Sequence, residues 1–550
     1  MKGMRAQMSK AKIIRFAIMA VLLTPFLARA QTSVSAGPKG LASFSYNGVS
    51  YLGGGQSCSA LSVLLRQGGQ NRSGQVQLVN SQVNYGPGVV SILRMYRWGT
   101  LKCVYSAAAD YVRANVTIKN ATSAALASVR VIVVSLKTPD GQTSRMPGSD
   151  DNLGGPDVLM VSYKGSKLFI GNQQVGRPLG LNAPIMGGSL DILINSEVAP
   201  PQAHAPVTRP IQPGGSENYW LTFRFANPAD QPYVVMKDLF ERWRARFPGT
   251  LNWTDRRPIG MLVLGRRGPN VPFNPLNPRY WGIADPKLDI NSAQGRQVFR
   301  TRLLSLAARS VANLKRMNAQ GVIVWDIEGQ QYPQPQVTYV GDPRYLPPEM
   351  QNGVAQEFMK QFTGNGIRCG VTLRAQKIST PLGQQLNSNS RQIYSDDPDT
   401  VFQWLSAKAQ YVQQQLGCTL FYVDSNGTTG WPLDWRIFAR LQQKFPNVLF
   451  IPEQKNILYY GFTAPYCDER NNKDDCPSAQ ARWIFPNAFS VINLSAADLA
   501  AGRNPAKMDP SERAIGGDVL MTQVWFNDPH IPFIIDTEQR VSVVRRRHRF

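Results

Sequence analysis

Carboxylic acids follow several uninterrupted apolar runs in the second half of the chain, close to the point where each run ends. The runs GVIVW, LFYV and LFIP are followed by Asp326, Glu328, Asp424 and Glu453. A single acid in such a position can simply cap a helix, so the prediction depends on the recurrence of acids after several strands. Carboxylates that lie close together shift one another's pKa values apart, which creates an acid beside a base or nucleophile. The spacing therefore predicts acid–base chemistry by paired carboxylates.

An alternation of strand-like and helix-like segments from Pro258 onward would position these acids. The strand-like runs are mostly apolar throughout, as parallel strands covered on both faces should be, and occupy residues 260–265, 321–329, 367–376, 418–427, 447–454, 488–495 and 518–528, with an eighth candidate at 533–536. This pattern predicts an α/β (β/α)8 TIM-type barrel over residues 258–537, whose strands meet at one face with their carboxyl ends. An open doubly wound sheet is the alternative, and the absence of a glycine-rich phosphate loop disfavours it.

Residues 31–228 show a different pattern: short segments in which apolar and polar residues alternate are separated by turn signals. Such a pattern is typical of an antiparallel β-sandwich, which we expect to precede the barrel. Residues 229–257 would form a helical linker between the two domains, and residues 538–550 a basic C-terminal tail. The predicted fold class is thus a β-sandwich followed by a TIM-type barrel.

Three short motifs, together with this domain order, resemble the retaining glycoside hydrolases of the α-galactosidase and α-amylase superfamilies. FYVDSNG resembles the strand-four segment that holds the aspartate nucleophile, IPEQ has the position of the acid/base glutamate on strand five, and FNDPH is similar to the region of a third carboxylate. Tyr422 stands where the α-amylase-like enzymes carry an arginine, and the usual histidine before Asp528 is absent. No single family is identified.

The resemblance implies glycosidase chemistry, for which two carboxyl groups suffice without a cofactor or a metal ion. Asp424 would act as the nucleophile or base and Glu453 as the general acid/base. Other polar residues would hold sugar hydroxyls or tune these carboxyls, and aromatic rings would stack on sugar faces; the candidates are Asp326, Glu328, Arg374, Asn426, Asp528, Trp325, Trp431 and Trp525. Arg374 would either keep a neighbouring carboxylate ionised or form a structural ion pair.

The first thirty residues combine a basic start, an apolar run and the sequence Ala28-Arg29-Ala30, which predicts a secretory signal cleaved after Ala30. We therefore expect a secreted or periplasmic protein without a transmembrane anchor; the alternative is an uncleaved anchor, although the run is short for a span. The chain carries a formal charge of +24 without any long basic run in its interior. That charge favours an anionic partner, and since export and the lack of a clustered basic motif disfavour nucleic acid, we expect a poly- or oligosaccharide substrate that is possibly acidic.

Export would permit disulfides among the six cysteines. A bridge between Cys467 and Cys476 would staple a polar loop, and Cys58 and Cys103 are a second candidate pair. We expect Cys369 and Cys418, which each open a predicted strand, to be packed thiols.

These patterns predict an exported glycoside hydrolase that cleaves O-glycosidic bonds with paired carboxylates, with the retaining mechanism favoured. The alternative function is a non-catalytic carbohydrate-binding or cell-envelope protein on a barrel scaffold. A metal-dependent hydrolase is disfavoured, because the chain has three histidines and no calcium-loop motif.

Overall fold

The computed structural model describes residues 31–145, 154–177, 179–197, 209–265, 273–284, 286–330, 340–387, 389–425, 427–428, 431–468, 477–494 and 519–523. The first half consists of short strands, as the period-two pattern predicts. These strands are β1 (Thr32–Gly37), β2 (Gly40–Tyr46), β3 (Val49–Ser50), β4 (Ser59–Gln67), β5 (Gln70–Ser73), β6 (Leu78–Gly86), β7 (Val89–Tyr96), β8 (Gly99–Ala107), β9 (Tyr111–Asn120), β10 (Ala125–Lys137), β11 (Thr143–Arg145), β12 (Val158–Tyr163), β13 (Ser166–Asn172), β14 (Gly180–Asn182), β15 (Ile185–Met186), β16 (Ser189–Asn195) and β17 (Ser216–Ala226).

Two antiparallel sheets of this half enclose one hydrophobic core. The larger sheet has the order β11, β12, β13, β17, β9, β8, β7, β6, and the smaller has the order β14, β16, β10, β4, β5, with β15 beside β16. Along β9 the side chains of Val112, Ala114, Val116 and Ile118 are completely buried, while the residues between them are more exposed. The alternation places one face of each sheet in a shared core, which is the arrangement of a β-sandwich.

Within the described residues, helices occur only after the sandwich. They are α1 (Pro232–Val235), α2 (Lys237–Arg246), α3 (Ala293–Arg316), α4 (Val354–Thr363), α5 (Pro398–Leu416), α6 (Trp435–Lys444) and α7 (Ala479–Ile484). Short 3-10 turns occupy Pro343–Tyr345, Pro348–Met350 and Ile457–Gly461. The linker helix expected before the barrel is interrupted at Met236, which separates α1 from α2.

The second half is built on one parallel sheet. Its strands are β18 (Ile259–Val263), β19 (Gly321–Trp325), β20 (Arg368–Arg374), β23 (Leu420–Asp424), β26 (Leu449–Pro452), β27 (Tyr466–Asp468), β28 (Val491–Leu494) and β29 (Val519–Gln523). Two small antiparallel pairs flank it, β21 (Lys377–Ile378) with β22 (Gln392–Ile393), and β24 (Gly427–Thr428) with β25 (Trp431–Pro432).

The order of the parallel strands is β26, β23, β20, β19, β18, β29, β28, β27. The first strand of the sheet in sequence, β18, is therefore paired on one side with the second and on the other side with the last. Among the described residues, one backbone hydrogen bond, from Ala464 N to Phe450 O at 3.1 Å, joins β26 to the residues just before β27. This strand order is the one that a (β/α)8 barrel has when it is cut between its fifth and sixth strands.

The strand prediction needs one correction. The sixth parallel strand is β27 (Tyr466–Asp468), in a segment where the sequence predicted only a polar loop. The strands expected sixth and seventh, at 488–495 and 518–528, are consequently the seventh and eighth, and the candidate at 533–536 lies outside the described residues. A strand of three residues is too short to show a period.

Alternate residues of the parallel strands face two different cores. Ile323 and Trp325 of β19 belong to the inner core with Tyr422 of β23. Val322 and Val324 instead pack outward among the helices. This alternation explains why the runs are apolar throughout, because both faces of each strand are covered.

Helix α2 connects the two halves by packing. Phe240 and Trp243 of α2 share a buried cluster with Phe169 of the sandwich and with Ile484 and Phe485 of the second half. Arg244 adds a hydrogen bond from Nε to the carbonyl of Ile484 at 3.3 Å. The segment predicted as a linker is therefore also a packing element between the two halves.

The cysteines differ in part from expectation. Cys58 and Cys103, predicted as a candidate pair, are free buried thiols, and the Cys58 thiol donates to the carbonyl of Ile92 at 3.6 Å instead of forming a bridge. Cys369 and Cys418 are buried free thiols, as expected. Cys467 is disulfide-bonded, and because Cys476 lies outside the described residues, their pairing stays a prediction. Among the helices of the described ranges, none is long and apolar enough to cross a membrane.

Candidate active site

Arg374 and Asp424 end two adjacent parallel strands and lie side by side in the ladder that joins β20 to β23. Both nitrogens Nε and Nη2 of Arg374 lie 2.7 Å from the same oxygen, Oδ2 of Asp424. The two side chains are only 12% and 8% exposed, so the pair is largely screened from water. Charge-assisted bonds of this kind fix a carboxylate in one orientation.

Ser425 joins Asp424 to Glu453, which follows the neighbouring strand β26. The backbone N–H of Ser425 donates to Oε2 of Glu453 at 2.6 Å, and its hydroxyl lies 3.5 Å from Oδ2 of Asp424. Ser425 adopts the left-handed backbone conformation, with φ at 50°, which turns the chain sharply as it leaves the strand. The turn brings the two carboxyl groups selected from the sequence to the two sides of one residue.

Asp326 follows β19, and its side chain has room because Gly265, which lies opposite, has no side chain. Its side chain is almost fully buried, and Oδ2 accepts a bond from Nε2 of Gln330 at 3.5 Å. A Cβ atom on Gly265, just after β18, would lie 2.6 Å from the same oxygen. Asp326 also has a left-handed backbone, with φ at 57°, so its peptide leaves the strand at a bend.

Glu328 is buried two residues farther on, with 2% of its surface exposed. Burial raises its pKa to about 8, and the nearby charges of Asp326 and Asp342 act in the same direction. Glu328 is therefore a carboxyl group that stays protonated near neutral pH and can donate a hydrogen bond.

Lys408 and Asp342 form a completely buried ion pair behind the strand ends, with Nζ 3.6 Å from Oδ2. Arg344 donates to both oxygens of Asp342, from Nε at 2.8 Å and from Nη2 at 2.7 Å. Burial lowers the pKa of Lys408, which Asp342 opposes. The pKa of Asp342 is lowered although burial acts against this, because Lys408 and Arg344 stabilise its charge.

Aromatic rings pack against one another in the inner core, next to the strand ends that carry the acids. Trp325, selected from the sequence as a stacking residue, is 7% exposed and stacks on Tyr422 at a centroid distance of 5.1 Å. Tyr422 in turn meets Tyr466 edge to face at 5.3 Å. Tyr422 thus occupies the inner core of the parallel sheet, where the resembling enzymes have an arginine.

For four of the predicted site residues the structure gives either the backbone position alone or nothing. Trp431 opens β25, in the hairpin that follows Asp424 on the same end of the sheet. Three other predicted residues, Asn426, Trp525 and Asp528, lie outside the described residues. The structure brings the remaining polar candidates to the carboxyl ends of neighbouring strands, namely Asp326, Glu328, Arg374, Asp424 and Glu453.

Gln376 and Lys408 are site residues that the sequence interpretation did not select. Gln376, 3% exposed, donates from Nε2 to the carbonyl of Ser425 at 2.9 Å, and its Oε1 accepts no bond from the described residues. Asp468 ends β27, so a further acid lies at the carboxyl end of a strand in this sheet. Asp468 was not selected because the sequence predicted a polar loop here and not the strand that this residue ends.

Lys408 had a signal in the helical pattern. It lies three residues after Leu405 and four before Val412, on the apolar face of α5. A charged residue at such a position must be paired when the helix packs on a core. A lysine on an apolar helix face is thus a pattern from which a buried ion pair can be predicted.

A cavity of about 520 Å³ lies at the opposite end of the parallel strands. It is lined by residues that precede β18, β20, β23 and β26, among them Trp253, Asp255 and Arg368. These residues are already joined, since Arg368 donates to Asp255 at 2.9 Å and lies over the ring of Trp253. In parallel α/β folds the active site forms at the carboxyl ends of the strands, so we place the candidate site at the carboxylates.

Metal ligation finds no support in the described ranges, where no group of three or more His, Cys, Asp or Glu residues could hold an ion.

No protein-family model matches the chain, and no curated protein matches it. Among solved structures, the α-galactosidase from Lactobacillus brevis is similar, with 11% identity, coverage of 95% of this chain and 83% of that one, and a TM-score of 0.43. The α-N-acetylgalactosaminidase NagBb from Bifidobacterium bifidum shares 11% identity over 92% of each chain, with a TM-score of 0.46. A cycloalternan-degrading enzyme from Trueperella pyogenes shares 10% identity over 90% of this chain and 81% of that one, with a TM-score of 0.41.

Proposed function

We propose that this chain is a glycoside hydrolase whose reaction is carried by Asp424 and Glu453. The observation that supports this most directly is the placement of the two carboxyl groups on either side of Ser425, at the ends of adjacent parallel strands. Glycosidic cleavage needs one carboxyl group to protonate the leaving oxygen and another to attack the sugar or activate water.

Asp424 is the proposed nucleophile. Arg374 binds its Oδ2 and thereby holds the carboxylate in one orientation. Its oxygen would attack the anomeric carbon while the bond to the leaving oxygen breaks and Glu453 gives that oxygen a proton. Glu453 would then take a proton from water, whose oxygen displaces Asp424 from the sugar.

The proposed retention of anomeric configuration depends on the distance between the two carboxyl groups. Val423 pairs with Pro452 in the parallel ladder, so Asp424 and Glu453 each follow a matched position. This register places the two residues at the same level of neighbouring strands, close enough for both to contact Ser425. The proposal of retention requires that their carboxyl groups lie about 5–5.5 Å apart, whereas inversion would require about 6.5–9.5 Å.

Sugar recognition would come from the polar groups around the pair. The Oε1 of Gln376 can accept a hydrogen bond from a sugar hydroxyl. Glu328, protonated near neutral pH, can donate a hydrogen bond. We further propose that the parallel sheet closes into a barrel, that the chain is exported through its N-terminal signal, and that the substrate is a poly- or oligosaccharide.

The test is hydrolysis of a panel of p-nitrophenyl α- and β-glycosides and of oligosaccharides by the full chain. Asp424→Asn should lower kcat/KM by more than about 10⁴-fold, and Glu453→Gln by about 10²–10⁴-fold. Asp399→Asn is the matched control, because Asp399 is 72% exposed on α5, and its activity should equal that of the wild type. The anomer released first, followed by NMR, decides between retention and inversion.

Hydrolysis that persists in both variants would refute the assignment of the carboxyl pair. Asp468→Asn and Glu328→Gln belong in the same series. If Glu453→Gln is fully active and one of these two variants is inactive, the acid/base role belongs to the residue replaced in the inactive variant. A wild type that binds glycans without cleaving any of them would instead support the carbohydrate-binding alternative.

A further inference from the structure

Lys408 has no solvent exposure, although it carries a charge on a helix that packs against the parallel sheet. Helix α5 contributes Leu405, Ala409 and Val412 to the outer core on either side of it. Burial of an ammonium group is costly unless several partners compensate it. The partners of Lys408 therefore indicate what the residue does.

The ammonium group reaches the end of strand β20. Its Nζ donates to the carbonyl of Gln376 at 2.6 Å, to that of Arg374 at 2.8 Å and to that of Gly341 at 3.4 Å. All three acceptors are backbone carbonyls. Two of them belong to residues whose side chains contact Asp424 or the residue after it. Arg374 binds Asp424, and Gln376 binds the carbonyl of Ser425.

The same contacts dock a second segment against this strand end. Gly341 accepts a bond from the backbone N–H of Arg374 at 2.9 Å, and a Cβ atom on Gly341 would lie 2.5 Å from Cγ of Arg374. Asp342, the next residue, supplies the charge that balances Lys408. The aliphatic part of Arg374 is thus confined between its own strand and the segment that Lys408 holds.

We propose that Lys408 is a positioning residue: through the carbonyls of Arg374 and Gln376 it holds the end of β20 so that Arg374 meets Asp424. This inference rests on the proposed glycosidase function for its kinetic consequence. Lysine suits the role because one atom carries three donors and meets three carbonyls. A residue without donors would leave these carbonyls unsatisfied inside the protein.

The test compares Lys408→Met, Asp342→Asn and the double variant with both changes. Lys408→Met should lower kcat on the order of 100-fold with KM within about threefold, because a small displacement of a catalytic group has that effect. Asp342→Asn keeps the bonds to the carbonyls and should retain most of the activity. The double variant removes the Lys408–Asp342 pair together, so its net charge equals that of the wild type, and its kcat should stay low because the carbonyls still lack their donor.

Lys444→Met is the matched control, because Lys444 on the neighbouring helix α6 is exposed and donates to Ser406 and Gln410. Recovery of kcat in the double variant would overturn the proposal, since charge balance alone would then explain the pair. Full activity of Lys408→Met would overturn it as well. If Lys408→Met does not fold, the charge-balanced double variant decides the question.

Crystal structures of the wild type and the double variant give a readout that needs no substrate. The distance from Arg374 Nε to Asp424 Oδ2, 2.7 Å here, should increase or the bond should be lost. An unchanged distance contradicts the positioning role even if the wild type hydrolyses no glycoside. Failure of the proposed function and failure of this inference are thereby separate results.

Discussion

The guanidinium of Arg374 contacts Asp424 through two nitrogens that converge on one carboxylate oxygen, each at 2.7 Å. Both residues end their strands at the same level of the sheet, so the contact follows from the ladder register as much as from the side chains. The orientation of the proposed nucleophile is therefore a property of the backbone.

Replacement of Arg374 should affect the reaction more than the fold. We expect Arg374→Met to lower kcat/KM on the order of 100-fold, because the carboxylate loses the donors that orient it. Arg374→Lys should restore only part of the activity, since one ammonium cannot supply two nitrogens in a plane. Kinetics on a p-nitrophenyl glycoside that the wild type hydrolyses measure this. Activity of Arg374→Met within threefold of wild type would contradict the expectation.

Glu328 should make the stability of the protein depend on pH. Because its pKa is raised to about 8 in the folded state, folding favours the protonated form, so this contribution is complete below the unfolded value near 4.3 and is lost as pH rises toward 8. Relative to Glu328→Gln, the wild type should lose about 4 kcal/mol of unfolding free energy between pH 5 and pH 8, at about 1.4 kcal/mol per unit. Urea unfolding at both pH values tests this.

The matched control for that titration is Glu241→Gln on α2, where the carboxyl group is 52% exposed. Its unfolding free energy should follow that of the wild type at both pH values. Equal pH dependence of Glu328→Gln and the wild type would show that Glu328 is ionised throughout.

Gly265 should tolerate no side chain. In Gly265→Ala the added methyl would meet Oδ2 of Asp326 at 2.6 Å and the side chain of Gln330 at 2.9 Å. We expect a loss of about 1–3 kcal/mol of stability, or a displaced Asp326 with reduced activity. Gly282→Ala is the control, since its methyl would lie 3.5 Å from the nearest atom, the carbonyl oxygen of Leu264. Thermal unfolding and kcat/KM of both variants decide the outcome.

Cys369 and Cys418 should remain thiols after purification. Their sulfur atoms are 3.5 Å apart and fully buried, and burial raises the pKa of Cys418 well above its ordinary value. A thiol that rarely ionises reacts slowly. Iodoacetamide should therefore label Cys369 and Cys418 only in denaturant, as mass spectrometry can show. A cross-linked peptide that joins them would contradict this expectation.

The sequence predicted the ends of the long parallel strands well, because runs such as LFYV and LFIP are buried on both faces and carry their acids just beyond. It did not predict β27, whose three residues leave no periodic trace. It did not identify the role of Lys408: the position of this lysine on the apolar face of α5 indicates burial, but its partners come from segments more than thirty residues away, which the helical pattern does not record. The role of Gly265 depends on a contact between two strands, which no local pattern records.

The strand order has a consequence for how the molecule is made. Ile259 of β18 pairs with Met521 of β29, so the first parallel strand has an unpaired edge until the segment around Met521 has been synthesised. Contacts between such distant residues slow folding, and open strand edges promote aggregation while they last. This sheet can therefore be completed only after β29 has been synthesised, and a nascent chain shortened before Val519 would expose that edge to other chains.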